Sequence, residues 1–298
     1  MAELSRELAT QGSSVIPATA PDPAPWRRFV PKMWYAHLTL WIACAFVGFP
    51  LIYAVLISTQ SNAEVANFTL SPGTQFNENW HQVMVNRFLG DFMLRSVILS
   101  VVITVGKTIL ALLSGLAFVY FRFPGKWIVF AFVLATLMMP TEILIIGLYR
   151  FVSGTLQWGG TFHALVIPFI ASATGTFLFR QHFANLPAEL SEAAQMDGAN
   201  PFQFLWSVLI PMSWNTIGAL AVIQFVYAWN MYLWPQLIMQ GGGFQVVQVG
   251  LRSLLATDTT LQYGPLMLGA VIASIPPVIV FILLQKQFMS GFQISTDK

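Results

Sequence analysis

Charge is scarce in this sequence. Of its 298 residues, 9% are Asp, Glu, Lys or Arg, against about 25% in an ordinary soluble domain, so water is not the main solvent for which the chain is built. Cysteine is scarcer still. Cys44 stands alone, which excludes a disulfide framework within the chain, and its place inside an apolar run reads as packing. The four histidines, His37, His81, His163 and His182, are scattered without metal-ligand spacing. No serine, histidine and carboxylate set points to nucleophilic catalysis. The net charge of +2 is small, and the basic residues gather at the ends of apolar runs rather than on a solvated face, so nothing calls for nucleic acid. Metal chemistry and enzyme catalysis are thus left with little support.

Apolar residues are abundant, at 56% of the chain, with a mean hydropathy of +0.67. A helix needs about 20 apolar residues to cross some 30 Å of hydrocarbon. Six runs meet that need, at about 35–57, 92–121, 127–151, 162–179, 214–238 and 265–284. The expected fold class is therefore all-α, a polytopic membrane protein with six transmembrane helices. Lysine and arginine near span ends stay on the cytoplasmic side. Arg6, Arg27, Arg28, Lys32, Arg122, Lys126, Arg180, Lys286 and Lys298 fall on one side, and Arg87, Arg95, Arg150 and Arg252 on the other. Nine against four places both termini inside.

Residues 1–34, with an Ala-Pro-Asp-Pro-Ala-Pro stretch ending at Pro25, read as a disordered cytoplasmic tail, 35–288 as the transmembrane domain, and 289–298 as a cytoplasmic C-terminal tail. Arg27-Arg28 ahead of an apolar run suggests a twin-arginine signal. The run is long, holds Pro50 and lacks a clear small-residue cleavage site, so a retained span is expected. The external segment 58–91 is large enough to dock a partner, and Gly241, Gly242 and Gly243 mark a flexible external loop.

The inside segment between the fourth and fifth runs is amphipathic and too polar to cross. Pro187 suits a first helical turn, and Glu189 and Glu192 lie toward the helix start, where the dipole favours carboxylates. Gly198 is placed to end that helix in a left-handed conformation. Asn200 can then cap a second helix, with Pro201 first and Gln203 third, as in a capping box. Helix, sharp corner and helix would make a slim, rigid peg, with Ala193, Ala194 and Ala199 allowing close approach. From periodicity alone, a linker lying on the membrane surface is an equal reading.

The residue pattern separates the two. Glu192-Ala193-Ala194, three residues, Gly198, nine residues, Val208, one residue, Ile210-Pro211 resembles the Glu-Ala-Ala loop of ABC importer permeases, with valine for isoleucine and isoleucine for leucine at two apolar positions. The chain after the tail is most similar to carbohydrate-importer permeases of the maltose type. Stretches at 103–108, 121–124, 171–181 and 229–235 look like the glycerol-3-phosphate branch of that group. The resemblance implies a cytoplasmic coupling helix, with Glu192, Ala193, Ala194, Asp197, Gly198 and Pro211 facing a separate ATPase. It also implies a second homologous permease, two ATPase subunits, an extracytoplasmic binding protein, and an inner-membrane location. ATP and magnesium would belong to the partner ATPase, and this chain would bind no cofactor. The expected function is import of sn-glycerol-3-phosphate or glycerophosphodiesters by alternating access. Another sugar or polyol is the alternative. An ion-coupled secondary transporter is a different class, which would show a repeat of broken helices or rows of buried carboxylates; a membrane enzyme is a third.

Lys107 lies about 18 Å along its helix from Arg95, well below the interface. A cation at that depth costs roughly 2.5–3.5 kcal/mol on insertion scales and needs a partner or a watery cavity. Three readings stand open: an ion pair with Glu142, contact with an anionic phosphate substrate, or a role at the partner interface. Gly106-Lys107-Thr108 mimics the end of a phosphate-binding loop, but Val101 occupies the position of the required glycine. In the fifth run, Trp229, Asn230, Tyr232 and Trp234 suit either stacking and hydrogen bonding to a polyol or an aromatic belt with interhelical packing.

Overall fold

The computed structural model describes residues 34–240, 243–255 and 261–291, excluding the side chains of Trp34, Thr141 and Glu142. The N-terminal tail before Trp34, Gly241, Gly242 and the last residues of the C-terminal tail thus lie outside the described residues. Helix dominates, and no strand occurs among the described residues. The chain divides into two compact units, Met1–Pro50 and Leu51–Lys298.

In chain order the helices are α1 (Trp34–Ile57), α2 (Asn62–Ala66), α3 (Phe76–Trp80), α4 (Leu89–Tyr120), α5 (Lys126–Leu137), α6 (Thr141–Tyr149), α7 (Phe162–Val166) and α8 (Ala173–Ala184). They continue with α9 (Ala188–Met196), α10 (Pro201–Phe204), α11 (Ile210–Met212), α12 (Trp214–Trp229), α13 (Leu233–Ile238), α14 (Val247–Leu255) and α15 (Tyr263–Gly291). Among the described residues, three continuous helices are long and apolar enough to cross a membrane, Tyr35–Ile57, Leu89–Tyr120 and Tyr263–Ser290. Two bent pairs qualify as single spans, Phe162–Phe169 with Ala173–Ala184 at 42° and Pro201–Met212 with Trp214–Trp229 at 80°.

Three of the expected runs are interrupted, the one at 162–179 at the 42° bend between Phe169 and Ala173. The run at 127–151 becomes α5 and α6, broken where Pro140 takes an extended backbone (φ −70°, ψ 120°), consistent with the missing N–H of proline. The run expected at 214–238 ends as a helix at Trp229. Asn230 turns its amide back onto the Val226 carbonyl at 2.9 Å, and α13 restarts three residues later. Pro235 lacks an N–H and disfavours a straight continuation through this stretch. Proline alone does not decide the matter, because Pro276 and Pro277 lie within α15, a tolerance common in membrane helices.

Within the second unit, α4 is the spine. Its Leu99 and Ile103 enter one apolar cluster with Val152, Leu165 and Trp234. Leu89 enters a second, with Phe225, Trp229 and Leu268. Ala111, Leu112 and Leu116 enter a third, with Phe179, Phe183 and Leu220. In lipid, helix association draws on close packing at small residues more than on hydrophobicity. A Cβ added at Gly175 would sit 2.7 Å from the Ala111 Cβ and 3.2 Å from Leu220, and one at Gly115 would sit 2.7 Å from the Phe179 Cβ. Glycine therefore lets α8 lie against both α4 and α12.

Candidate functional site

One place holds the residues of the polar inside segment and another holds Lys107, and α8 joins them. At the exposed one, α9 ends in a Schellman motif, in which the Gly198 N–H bonds Gln195 O at 3.0 Å and the Ala199 N–H bonds Ala194 O at 2.9 Å. Gly198 supplies the left-handed residue at φ +72°. Asn200 and Gln203 form a reciprocal capping box at 2.8 and 2.9 Å, with Pro201 opening α10. Pro187 is the residue before the first turn, one place earlier than expected. Glu192, Ala193, Asp197, Gly198 and Pro211 are exposed, while Ala194 is half-buried and packs on the third cluster. Met196, Phe202 and Trp206 stand 89%, 69% and 75% exposed around the same corner. The result is a capped corner on which exposed apolar side chains stand beside Glu192 and Asp197, with Ala194 packed inward.

At the buried place, α4 presents Ser96, Ser100, Thr104 and Lys107 at successive helical turns, all inside the fold. Lys107 Nζ donates to Gln224 Oε1 of α12 at 2.9 Å and lies 4.1 Å from the centre of the Tyr227 ring. Gln224 Nε2 in turn donates to Ser172 Oγ at 2.8 Å. That oxygen also accepts the Gly175 N–H at 3.0 Å and so caps the start of α8. One turn on, the Thr176 and Ser114 hydroxyls meet at 2.7 Å. The buried cation is thus wired through one amide to the first turn of α8, whose far end runs through residues 185–187 into α9. Among the described residues, the hydroxyls of Ser100 and Thr104 have no hydrogen-bond partner. Of the expected Lys107 partners, the Glu142 side chain lies outside the described residues.

Sequence reading missed Gln224 and Ser172. An amide in the middle of an apolar run is itself a signal, and a serine opening a helical stretch is an N-cap signal, but neither falls in a spacing motif.

The aromatic group of the fifth run is divided by the break. Trp229 is 2% exposed, donates Nε1–H to Ala273 O at 3.1 Å and stacks on Phe225. Trp234 is likewise buried and donates to Ala164 O at 3.0 Å. Both indoles are occupied by packing. Asn230 is exposed beside Gln248, whose amide donates to it at 3.3 Å. Tyr232 is half-buried and takes a hydrogen bond from Arg252. Among the described residues, no three His, Cys, Asp or Glu side chains converge as metal ligands would.

The model of binding-protein-dependent transport system inner membrane components matches residues 107–292. The chain is 37% identical over 272 residues to the sn-glycerol-3-phosphate transport system permease protein UgpE of Rhizobium meliloti (strain 1021), covering 88% of this chain and 96% of that protein. The protein of the same name from Agrobacterium fabrum is 36% identical over 273 residues, with 88% and 96% covered. That of Yersinia pestis bv. Antiqua (strain Antiqua) is 37% identical over 266 residues, with 86% and 94% covered. In fold, the chain is similar to a solved bacterial ABC transporter involved in the import of the acidic polysaccharide alginate. The TM-score is 0.73 at 22% identity, covering 90% of this chain and 99% of that one. Helices, corner and relatives together show that the chain belongs to the family of binding-protein-dependent transport system inner membrane components, the membrane-spanning permease subunits of ABC importers.

Proposed function

We propose that this permease imports sn-glycerol-3-phosphate or glycerophosphodiesters across the bacterial inner membrane by alternating access. The observation that carries the substrate is the identity of 37% to a UgpE permease over 88% of this chain. In this reading the chain crosses six times with both termini cytoplasmic, the third crossing being built from α5 and α6 in tandem. It pairs with a second homologous permease, takes substrate from an extracytoplasmic binding protein, and is driven by two ATPase subunits. The chain itself is non-catalytic, and ATP and magnesium reside in those partners.

The corner from Glu192 to Gly198 is the coupling helix. A peg transmits force only if its own backbone does not yield, and the Schellman motif and capping box supply that stiffness. Exposed Met196, Phe202 and Trp206 give it an apolar tip to seat in a cleft. Lys107 is the candidate partner for the phosphate. An ammonium with three donors suits a phosphate oxygen, and the unpartnered Ser100 and Thr104 hydroxyls lie on the same face of α4. Buried in this structure, the group would meet substrate when the seam between α4 and α12 opens.

Expression of this chain in a bacterium deleted for its own UgpE protein tests the substrate. Growth on glycerol-3-phosphate as phosphate source supports the reading. A chain that reaches the membrane and assembles with the host ATPase but does not restore growth on either phosphate ester discards the substrate and keeps the class.

A further inference from the structure

Arg122 and Lys126 flank the turn into α5, and Arg180 of the distant α8 packs against Trp127, which lies in the first turn of α5. A cavity of about 450 Å³ between the end of α4 and the start of α5 is lined by Arg122, Phe123, Gly125, Lys126, Trp127 and Ile128. From α8, the Arg180 guanidinium lies 5.1 Å from the centre of the Trp127 ring and 4.8 Å from that of Phe130. Lys126 Nζ is held over the end of α4 by the Phe121 and Val119 carbonyls at 3.1 and 3.4 Å. No Asp or Glu occurs between Asp91 and Glu142, or between Glu142 and Glu189, and among the described residues none of the three cations has a carboxylate partner. Cations with no carboxylate beside them leave net positive charge at this surface, which an anion would balance.

The rest of the lining is apolar. Trp127 and Ile128 are 66% and 76% exposed directly beside the cations, where an indole suits the border between headgroups and acyl chains. A ligand matching both parts is amphipathic, with an anionic head and a hydrocarbon body. Basic pockets between membrane helices on the cytoplasmic side recognise anionic headgroups in this way. We propose that this cavity binds the phosphodiester headgroup of an anionic phospholipid, with its acyl chains lying along Trp127 and Ile128. Its assignment to the cytoplasmic leaflet rests on the topology proposed above; lipid binding itself does not.

The test uses the full-length chain in a neutral detergent, with native mass spectrometry counting retained dioleoylphosphatidylglycerol against dioleoylphosphatidylcholine. The phosphatidylglycerol adduct is expected to persist and the phosphatidylcholine adduct to be lost. Arg122→Gln and Arg180→Gln should each weaken retention about fivefold, at the strength of one basic residue near an anionic surface, while Arg122→Lys keeps it. Equal retention of the two lipids by the unaltered chain overturns the proposal without reliance on any variant. Displacement by millimolar inorganic phosphate, but not by chloride at matched ionic strength, assigns the cavity to a soluble anion and overturns it too. So does loss of the lipid on assembly with the ATPase subunits, which marks a protein contact. Transport is not measured, so failure here leaves the importer reading intact.

Discussion

Lys107 concentrates the chemistry of the buried place in one side chain. Its ammonium is held by the Gln224 amide and the Tyr227 ring, and amides stabilise a buried cation less than a carboxylate does. Lys107→Met replaces the charge with an apolar chain of similar length. The expected outcome is unchanged or higher thermal stability of the purified chain, with uptake of the phosphate ester reduced tenfold or more at limiting substrate. Uptake unchanged in a folded complex would contradict a substrate role. A second residue-scale test lies at Glu64 in the segment before α4. The Ser61 backbone N–H and hydroxyl donate to its carboxylate at 2.7 and 2.9 Å, holding its pKa below the ordinary carboxyl range, the backbone bond first. A lowered folded-state pKa means that the stabilisation is complete above the unfolded value and is lost as pH falls through the folded one. Amide exchange across 61–66 should therefore quicken below the ordinary carboxyl range, beyond the intrinsic trend, and Glu64→Gln should remove that step.

At the scale of elements, α8 carries the account, because its first turn is tied to Lys107 through Gln224 and its last turn leads into the corner. Gly115→Leu would drive a side chain into Phe179, whose Cβ lies 2.7 Å from the added Cβ. Overpacking of this kind costs about 1–3 kcal/mol, which should appear as a lower unfolding temperature in detergent. Gly198→Val acts differently. Nothing lies within 4 Å of the added Cβ, but φ is +72°, where an L side chain costs roughly 1–2 kcal/mol. The chain should still reach the membrane at near-normal levels while ATP-coupled uptake falls at least tenfold; normal uptake would remove the corner from the coupling reading. These elements were unequally legible in the sequence. The corner was readable residue by residue, because Pro, Gly and the Asn-to-Gln spacing act through local backbone chemistry. The apolar runs located the helices, and the break at Pro140 has a local cause in the missing proline N–H. The stop at Trp229 was harder to read, since Asn230 is one polar residue in a mostly apolar stretch and the restart after it is held by distant partners, Gln248 on Asn230 and the Ala164 carbonyl on Trp234. The Lys107–Gln224–Ser172 chain was hidden for the same reason: residues 107, 172 and 224 meet only after three helices have packed.

For the whole molecule, the polar chain offers a route by which a buried event can be felt at the surface. If an anion draws the ammonium away from Gln224, the amide that also bonds Ser172 at the cap of α8 is freed to turn, and α8 leads directly into the corner where an ATPase would sit. Gln224→Leu removes both of the bonds that Gln224 makes to Lys107 and Ser172. In an assembled importer it should leave basal ATP hydrolysis in place and abolish most of the increase caused by substrate-loaded binding protein. The central claim is that this chain is one half of an ATP-driven pathway for a phosphate ester. Its most direct test is uptake of labelled glycerol-3-phosphate into proteoliposomes, first with this chain alone and then with the partner permease, ATPase and binding protein. Uptake only in the complete set, and only with ATP, is the predicted result, whereas uptake by the chain alone under an ion gradient would contradict the account.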